Sequence, residues 1–181
     1  MSNIKHLKTP LCCEEIDSLE IGDLVTISGV ILAGRDAVLP KICDLISNGA
    51  LGDMTHYLEG SVMFHTAVSP AGVGPTSSNK VEIESSFGPL SASGVRMHLG
   101  KGRISSETVD ILKRTRSCFA VIPPVTALLG EGTISSEVLA FPELGMESLH
   151  LLRIEKYPAI IAAVKGRSIF DEFTNGCRSN H

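Results

Sequence analysis

The sequence predicts an α/β domain with a partly parallel central sheet, on three observations. Leu24–Leu32 is apolar on both alternating sides, with Val25, Ile27 and Ile31 on one and Leu24, Val30 and Leu32 on the other. That pattern suits a strand covered on both faces. Leu39, Ile42, Cys43 and Ile46 follow at i, i+3, i+4 and i+7, the spacing of a helix with one apolar stripe. Further apolar runs at Ser61–His65, Val95–Leu99, Cys118–Ile122 and Ala159–Val164 alternate with helix-like segments, without internal repeat or low-complexity linker.

Each element has a local reason. Met1–Leu11 is polar and mixed, and reads as an arm or edge segment; Glu14–Asp23 closes on the turn Gly22-Asp23. The first strand runs into Gly34-Arg35-Asp36, where Asp36 suits the N-cap of a helix over Ala37–Ser47 and Pro40 is tolerated in the first turn. Asn48–Gly60 reads as loop, Ser61–His65 as a short buried strand ending in a histidine, and Ala67–Gly74 as loop. Ile83, Phe87 and Leu90 keep helical spacing, although Gly88-Pro89 is expected to break or shorten that helix.

Val95–Leu99 leads into Gly100-Lys101-Gly102. Ser105 or Ser106 caps the next helix, with Glu107 in its first turn and Lys113 and Arg114 in its last, the charge order the helix dipole favours. Cys118–Ile122 is closed by Pro123-Pro124, and a short helical segment covers Val125–Leu129. Glu137–Phe141, Ser148–Glu155 and Ala159–Val164 read as three strands. Phe170 and Phe173 are expected to anchor a final turn, and Thr174–His181 to fray, leaving one domain over 1–173 and a polar tail over 174–181.

Composition narrows the function. The 181 residues are 43% hydrophobic and 20% charged, a globular rather than disordered balance. A net charge of −4 offers no general attraction to nucleic acid or an anionic membrane. No apolar run reaches the roughly 18 residues of a membrane span, and the N-terminus lacks a charged-then-apolar signal pattern, so a cytoplasmic location is expected. Cys12, Cys13, Cys43, Cys118 and Cys177 form no C-x-x-C pair, so spacing indicates neither zinc nor an iron–sulfur cluster in this chain.

Against that acidic background, cations beside glycines stand out. Gly72-Val-Gly-Pro-Thr-Ser-Ser-Asn-Lys80 joins glycines to the hydroxyls of Thr76, Ser77 and Ser78, with Lys80 close behind. Such loops hold carboxylates or phosphates through N–H groups and hydroxyls, though an ordinary turn and helix cap uses the same residues. Gly34-Arg35-Asp36 and Gly100-Lys101-Gly102 each place a cation at the end of a strand.

These motifs, with Glu143-Leu-Gly-Met-Glu-Ser-Leu149, resemble the beta chain, or C-terminal domain, of the class I fumarase and L-tartrate dehydratase family of iron–sulfur hydro-lyases, from about Thr9 to about Phe170. The resemblance implies the swivelling β/β/α layered fold, a small dicarboxylate substrate, and a 4Fe-4S cluster carried by a separate alpha subunit, with none bound by this chain alone. It implies that Arg35 binds substrate, that Thr76 contacts substrate and handles the carbon-bound proton, that Ser77 keeps a binding hydroxyl, and that Lys101 is an active-site lysine. Lys80 stands where the family usually has arginine, which removes a bidentate fork. His65 resembles a histidine of the tartrate-dehydratase branch, although a capped core histidine reads equally well. Leu39-Pro40 and Pro123-Pro124-Val125 also depart from the pattern.

Fumarate or malate is the first expected substrate and tartrate the second. The alternative is an inert binding module of the same fold; retention of Arg35, Thr76 and Lys101 together favours the enzyme. A nucleotide-binding protein is a weaker third reading, because no P-loop pattern is present. The oligomeric state is not set by the sequence, and a homo-oligomer stays open.

Overall fold

The computed structural model describes residues 4–77, 79–123 and 126–171. Ser78, Pro124-Val125, Phe173, Cys177 and the expected tail Thr174–His181 lie outside the described residues. The described elements are β1 (Lys5–Lys8), α1 (Cys13–Asp17), β2 (Leu24–Ala33), α2 (Val38–Ser47), α3 (Thr55–Leu58), β3 (Val62–Phe64), β4 (Thr66–Ser69), β5 (Gly72–Thr76), α4 (Lys80–Ala92), β6 (Met97–Gly100), α5 (Ser106–Thr115), β7 (Cys118–Val121), α6 (Thr126–Gly132), β8 (Thr133–Ala140), β9 (Leu149–Val164) and β10 (Arg167–Ser168). Short 3-10 turns occupy Gly52–Met54 and Pro142–Glu147. No helix among the described residues is long and apolar enough to cross a membrane.

The sheet is mixed, as expected. β1, β3 and β2 pair in parallel, β3 and β6 continue in parallel, and β6 pairs in parallel with β7. β9 then runs antiparallel to both β7 and β2, so pairing closes into a circuit β2–β3–β6–β7–β9–β2. Alternation sorts the side chains. Val62, Phe64, Met97, Leu99, Cys118 and Ala120 enter one core with Ile27, Ile31 and Tyr157. Met63 and Phe119 face the other way, into cores shared with α2, α4 and α5. The strands are apolar on both sides because both sides are buried.

Several expectations need correction. Ala67–Gly74 is not loop: β4 and β5 form a two-stranded antiparallel hairpin. Gly72, at φ 119, serves its turn, and Gly-Pro-Thr lies on the returning strand rather than in a ligand loop. Gly88-Pro89 does not break α4, which runs through Pro89 to Ala92 with Phe87 and Leu90 fully buried. Packing on that buried face outweighs the local cost of proline, typically about 3 kcal/mol. Asp36 is not a cap: Ala37 holds the N-cap position of α2, and Asp36 is used elsewhere. Ser148–Glu155 and Ala159–Val164 are one strand, β9, bent where Lys156 takes φ 52 and its N–H donates to Ser28 Oγ at 2.9 Å.

Candidate active site

Three parallel neighbours set the site. The carboxyl ends of β2, β3 and β6 lie side by side, and they are followed by Gly34-Arg35, His65 and Lys101. Parallel strands of α/β domains, in open sheets and closed barrels alike, gather ligands at their carboxyl ends. Residues far apart in sequence meet here because a parallel sheet turns all its carboxyl ends the same way.

Between α4, the loop after β6 and β7 lies a cavity of about 290 Å³. His65, Ser77, Lys80 and Lys101 are on its lining, together with Glu84 and Phe87, which sequence reasoning did not select. Arg35 and Thr76 do not line it. Arg35 joins it through one intermediate: its Nη2 is 3.4 Å from Asp36 Oδ2, and Asp36 Oδ1 accepts from Ser77 Oγ at 2.7 Å. Thr76 ends β5, paired with Thr66 and directly preceding Ser77. A larger groove of about 780 Å³ opens near β1 and the start of β3, beside Lys8 and Ser61, away from these carboxyl ends.

Local contacts fix each group. The Ser77 N–H donates to the His65 carbonyl at 3.0 Å, tying the end of the hairpin to the rim. Ser77 Oγ also accepts from the Asn79 N–H at 3.1 Å, just before Lys80 opens α4. Glu147 approaches Arg35 Nε at 3.1 Å, out of line for a hydrogen bond, while its other oxygen accepts from the Ala37 N–H at 3.1 Å. Arg35 is therefore held between two carboxylates of the chain itself. Glu147 belongs to the Glu143–Leu149 motif, which was the only sequence signal for it.

The two sides of the cavity differ in charge. Lys80 and Lys101 are exposed, and Lys80 Cε would lie 3.9 Å from a Cβ added at Gly102. A Cβ at Gly100 would meet the Phe119 ring at 3.0 Å, so glycine keeps the turn tight against β7. Glu84 Oε2 accepts from the Ser105 N–H at 2.9 Å, Ser105 Oγ at 2.6 Å and Thr108 Oγ1 at 2.5 Å. Burial opposes its ionisation, but those bonds and the charge of Lys80 prevail and hold its carboxyl below the usual range. Glu84 thereby pins the start of α5, where Ser105 is the N-cap.

His65 is fully buried, and desolvation lowers its pKa to about 3. Its Nε2 lies 3.1 Å from Nδ1 of His98, also fully buried, and His98 Nε2 lies 2.8 Å from Ser91 Oγ. Desolvation and then the nearby His65 push His98 well down. Phe87 stacks on both rings, with centroids 5.0 Å from His65 and 4.1 Å from His98. His98 was read only as the interior of a strand.

No three His, Cys, Asp or Glu side chains among the described residues converge where a metal ion could sit. Cys12, Cys13, Cys43 and Cys118 are free thiols, with Cys118 buried in the inner core and its pKa driven upward by desolvation.

Comparison with known proteins gives one family model, described as Fumarase C-terminus, over residues 2–173. The aerobic class I fumarate hydratase of Escherichia coli strain K12 is 27% identical over 167 residues, covering 87% of this chain and 30% of that protein. The L(+)-tartrate dehydratase subunit beta of the same strain is 24% identical over 172 residues, covering 88% of this chain and 82% of the relative. Fumarate hydratase 2 of Leishmania major is 24% identical over 175 residues, covering 88% of this chain and 29% of its own length. The chain thus spans about a third of the two fumarate hydratases and most of the tartrate dehydratase subunit.

Proposed function

Because the chain belongs to the Fumarase C-terminus family, we propose that it is the beta subunit of a two-chain hydro-lyase that adds or removes water on a small dicarboxylate. Fumarate or malate is the first candidate and tartrate the second. The observation that carries the reading is the shared rim: four of the six singled-out residues, His65, Ser77, Lys80 and Lys101, line one cavity, with Arg35 linked to it through Asp36 and Ser77.

In this reading residues 1–173 act as one domain in the cytoplasm. Lys80, Lys101 and Arg35 bind the two carboxylates, and charge-assisted bonds orient them. Ser77 adds a hydroxyl. Thr76 contacts the reacting carbon and handles its proton, a step that requires an activating neighbour because a free threonine hydroxyl is a poor base. Among the described residues no set of His, Cys, Asp or Glu side chains converges to hold a 4Fe-4S cluster, and in this reading the cluster is carried by the alpha subunit. One relative, the L(+)-tartrate dehydratase subunit beta, is by name one subunit of its enzyme, which supports such a partner. When bound there, the cluster supplies an electrophile for the hydroxyl.

The test is an anaerobic assay of the chain reconstituted with a cluster-bearing alpha subunit against fumarate, malate and tartrate. Turnover of one of these is expected, and the chain by itself is expected to be colourless and inactive. An iron–sulfur absorption band in the pure, reconstituted single chain would overturn the division of labour. A folded complex that turns over none of the three acids would favour the inert module.

A further inference from the structure

Ser91, His98 and His65 form an unbroken line of buried polar atoms running from the last turn of α4 to a residue of the cavity lining. The links are 2.8 Å and 3.1 Å, and the Nδ1 atom at the end, on His65, is sealed from water and has no hydrogen-bond partner. A buried imidazole nitrogen without a partner is uncommon and costly.

Hydrogen counting distinguishes the possible proton orders. In one, the Ser91 hydroxyl donates to His98 Nε2, His98 Nδ1–H donates to His65 Nε2, and only His65 Nδ1–H is left over. In the other, His65 Nε2–H donates to His98 Nδ1 and His98 Nε2–H donates to Ser91 Oγ. Ser91 then has a buried hydroxyl proton with no acceptor among the described residues, and His65 Nδ1 is a bare acceptor. The first order leaves one unsatisfied atom and the second leaves two. Charging either ring is opposed by the same burial that excludes water. Flipping the His98 ring would put C–H groups where its two bonded nitrogens now sit and would lose both links, so the hydrogen bonds hold its orientation.

We propose that Ser91 and His98 are positioning residues that fix His65 as its Nδ1–H tautomer, so that the ring holds a neutral donor just behind the cavity lining, which an oxygen of a bound small carboxylate reaches when the side chains covering it move aside. Lys80 and Lys101 supply charge, which attracts an anion without fixing its orientation. A neutral donor on a rigid stacked ring supplies direction. It rejects a ligand that presents carbon at that point, because the donor is then left buried and unpaired. The inference rests on the proposed hydro-lyase reading only for the identity of the ligand; the tautomer follows from the hydrogen-bond line alone.

Nitrogen NMR of the full chain with 15N-labelled histidine tests it. The expected spectrum at neutral pH has a protonated Nδ1 and an unprotonated, hydrogen-bonded Nε2 on both His65 and His98. Ser91→Ala should give mixed tautomers at both rings, and Ser91→Thr should restore the single form. Addition of succinate, L-malate or L-tartrate should shift the His65 Nδ1 signal and leave that of the exposed His6 in place. In the reconstituted enzyme Ser91→Ala should raise KM about tenfold with kcat nearly unchanged, the pattern of a lost ground-state contact, and Ser91→Thr should recover it. An Nε2–H tautomer at His65 overturns the proposal, and so does an unchanged tautomer in Ser91→Ala or a His65 signal indifferent to all three acids. If Ser91→Ala fails to fold, the tautomer in the unsubstituted chain still decides. Absence of turnover with the tautomer pattern intact instead counts against the hydro-lyase reading.

Discussion

The cavity has two unlike walls. On one, His65 and Phe87 lie stacked and fully buried, with the buried His98 ring behind them. On the other, Lys80 and Lys101 stand exposed, each with its charge in water. The first wall is complete within this chain, because its geometry depends on core packing and a hydrogen-bond line. The second is open to solvent. A solvated ammonium is strongly screened, and it becomes selective only when a ligand or partner displaces water from it. The buried rings of His65 and Phe87 and the exposed ammonium groups thus line one small cavity.

The largest expected effect comes from breaking the wet wall. Lys101→Ala, in the enzyme reconstituted with its partner, should lower kcat/KM by about 30- to 5000-fold if the lysine pairs with a carboxylate in a water-excluded cleft. Activity within threefold of the unsubstituted enzyme, with the complex still assembled, would remove support for the site.

The dry wall breaks with acid. Folding holds His65 neutral down to about 3, whereas the unfolded chain takes up a proton near 6.5. The unfolded state therefore binds more protons below 6.5, so stability is full above that value and falls as the pH drops toward 3. The expected slope is about 1.4 kcal/mol per pH unit for each such histidine. Denaturant unfolding between pH 7.5 and 4.5 checks this, with His65→Gln showing the shallower decline. Equal slopes for the two proteins would show that His65 is not held neutral.

Arg35 lies between the two regimes, part-buried and held by its own carboxylates. Glu147→Gln keeps the acceptor for the Ala37 N–H but removes the charge beside Arg35. We expect a KM higher by about three- to tenfold with unfolding little changed, measured by steady-state kinetics and thermal melting. An unaltered KM would show that Glu147 does not position the guanidinium. Lys80→Arg is the mildest change. It keeps the charge and restores the fork, so activity should stay within about threefold while preference among dicarboxylates shifts. A loss comparable to that of Lys101→Ala would mean that the smaller ammonium is itself required.

The fold was legible wherever a segment carried its own explanation. β2 declared itself by apolar residues on both faces, and α5 by Ser105, Glu107, Lys113 and Arg114. The hairpin β4–β5 was not legible, since Pro70, Gly72 and Gly74 look like loop and only mutual pairing makes them strands. The continuous α4 was hidden by Pro89, whose local penalty is overcome by tertiary packing. Within the site, glycine-flanked cations were visible in sequence, and the structure brought His65, Ser77, Lys80 and Lys101 to one cavity. Their supports were not. Asp36 meets Ser77, Glu147 meets Arg35 and His98 meets His65 across long stretches of chain, and no period or cap records such meetings.

The closed circuit through β2, β3, β6, β7 and β9 has a mechanical consequence. A hoop has no loose end, so a strand cannot slip past one neighbour without shearing its bonds to the other. Arg35, His65 and Lys101 follow three neighbouring strands of that hoop, so their anchor points are held at a fixed spacing.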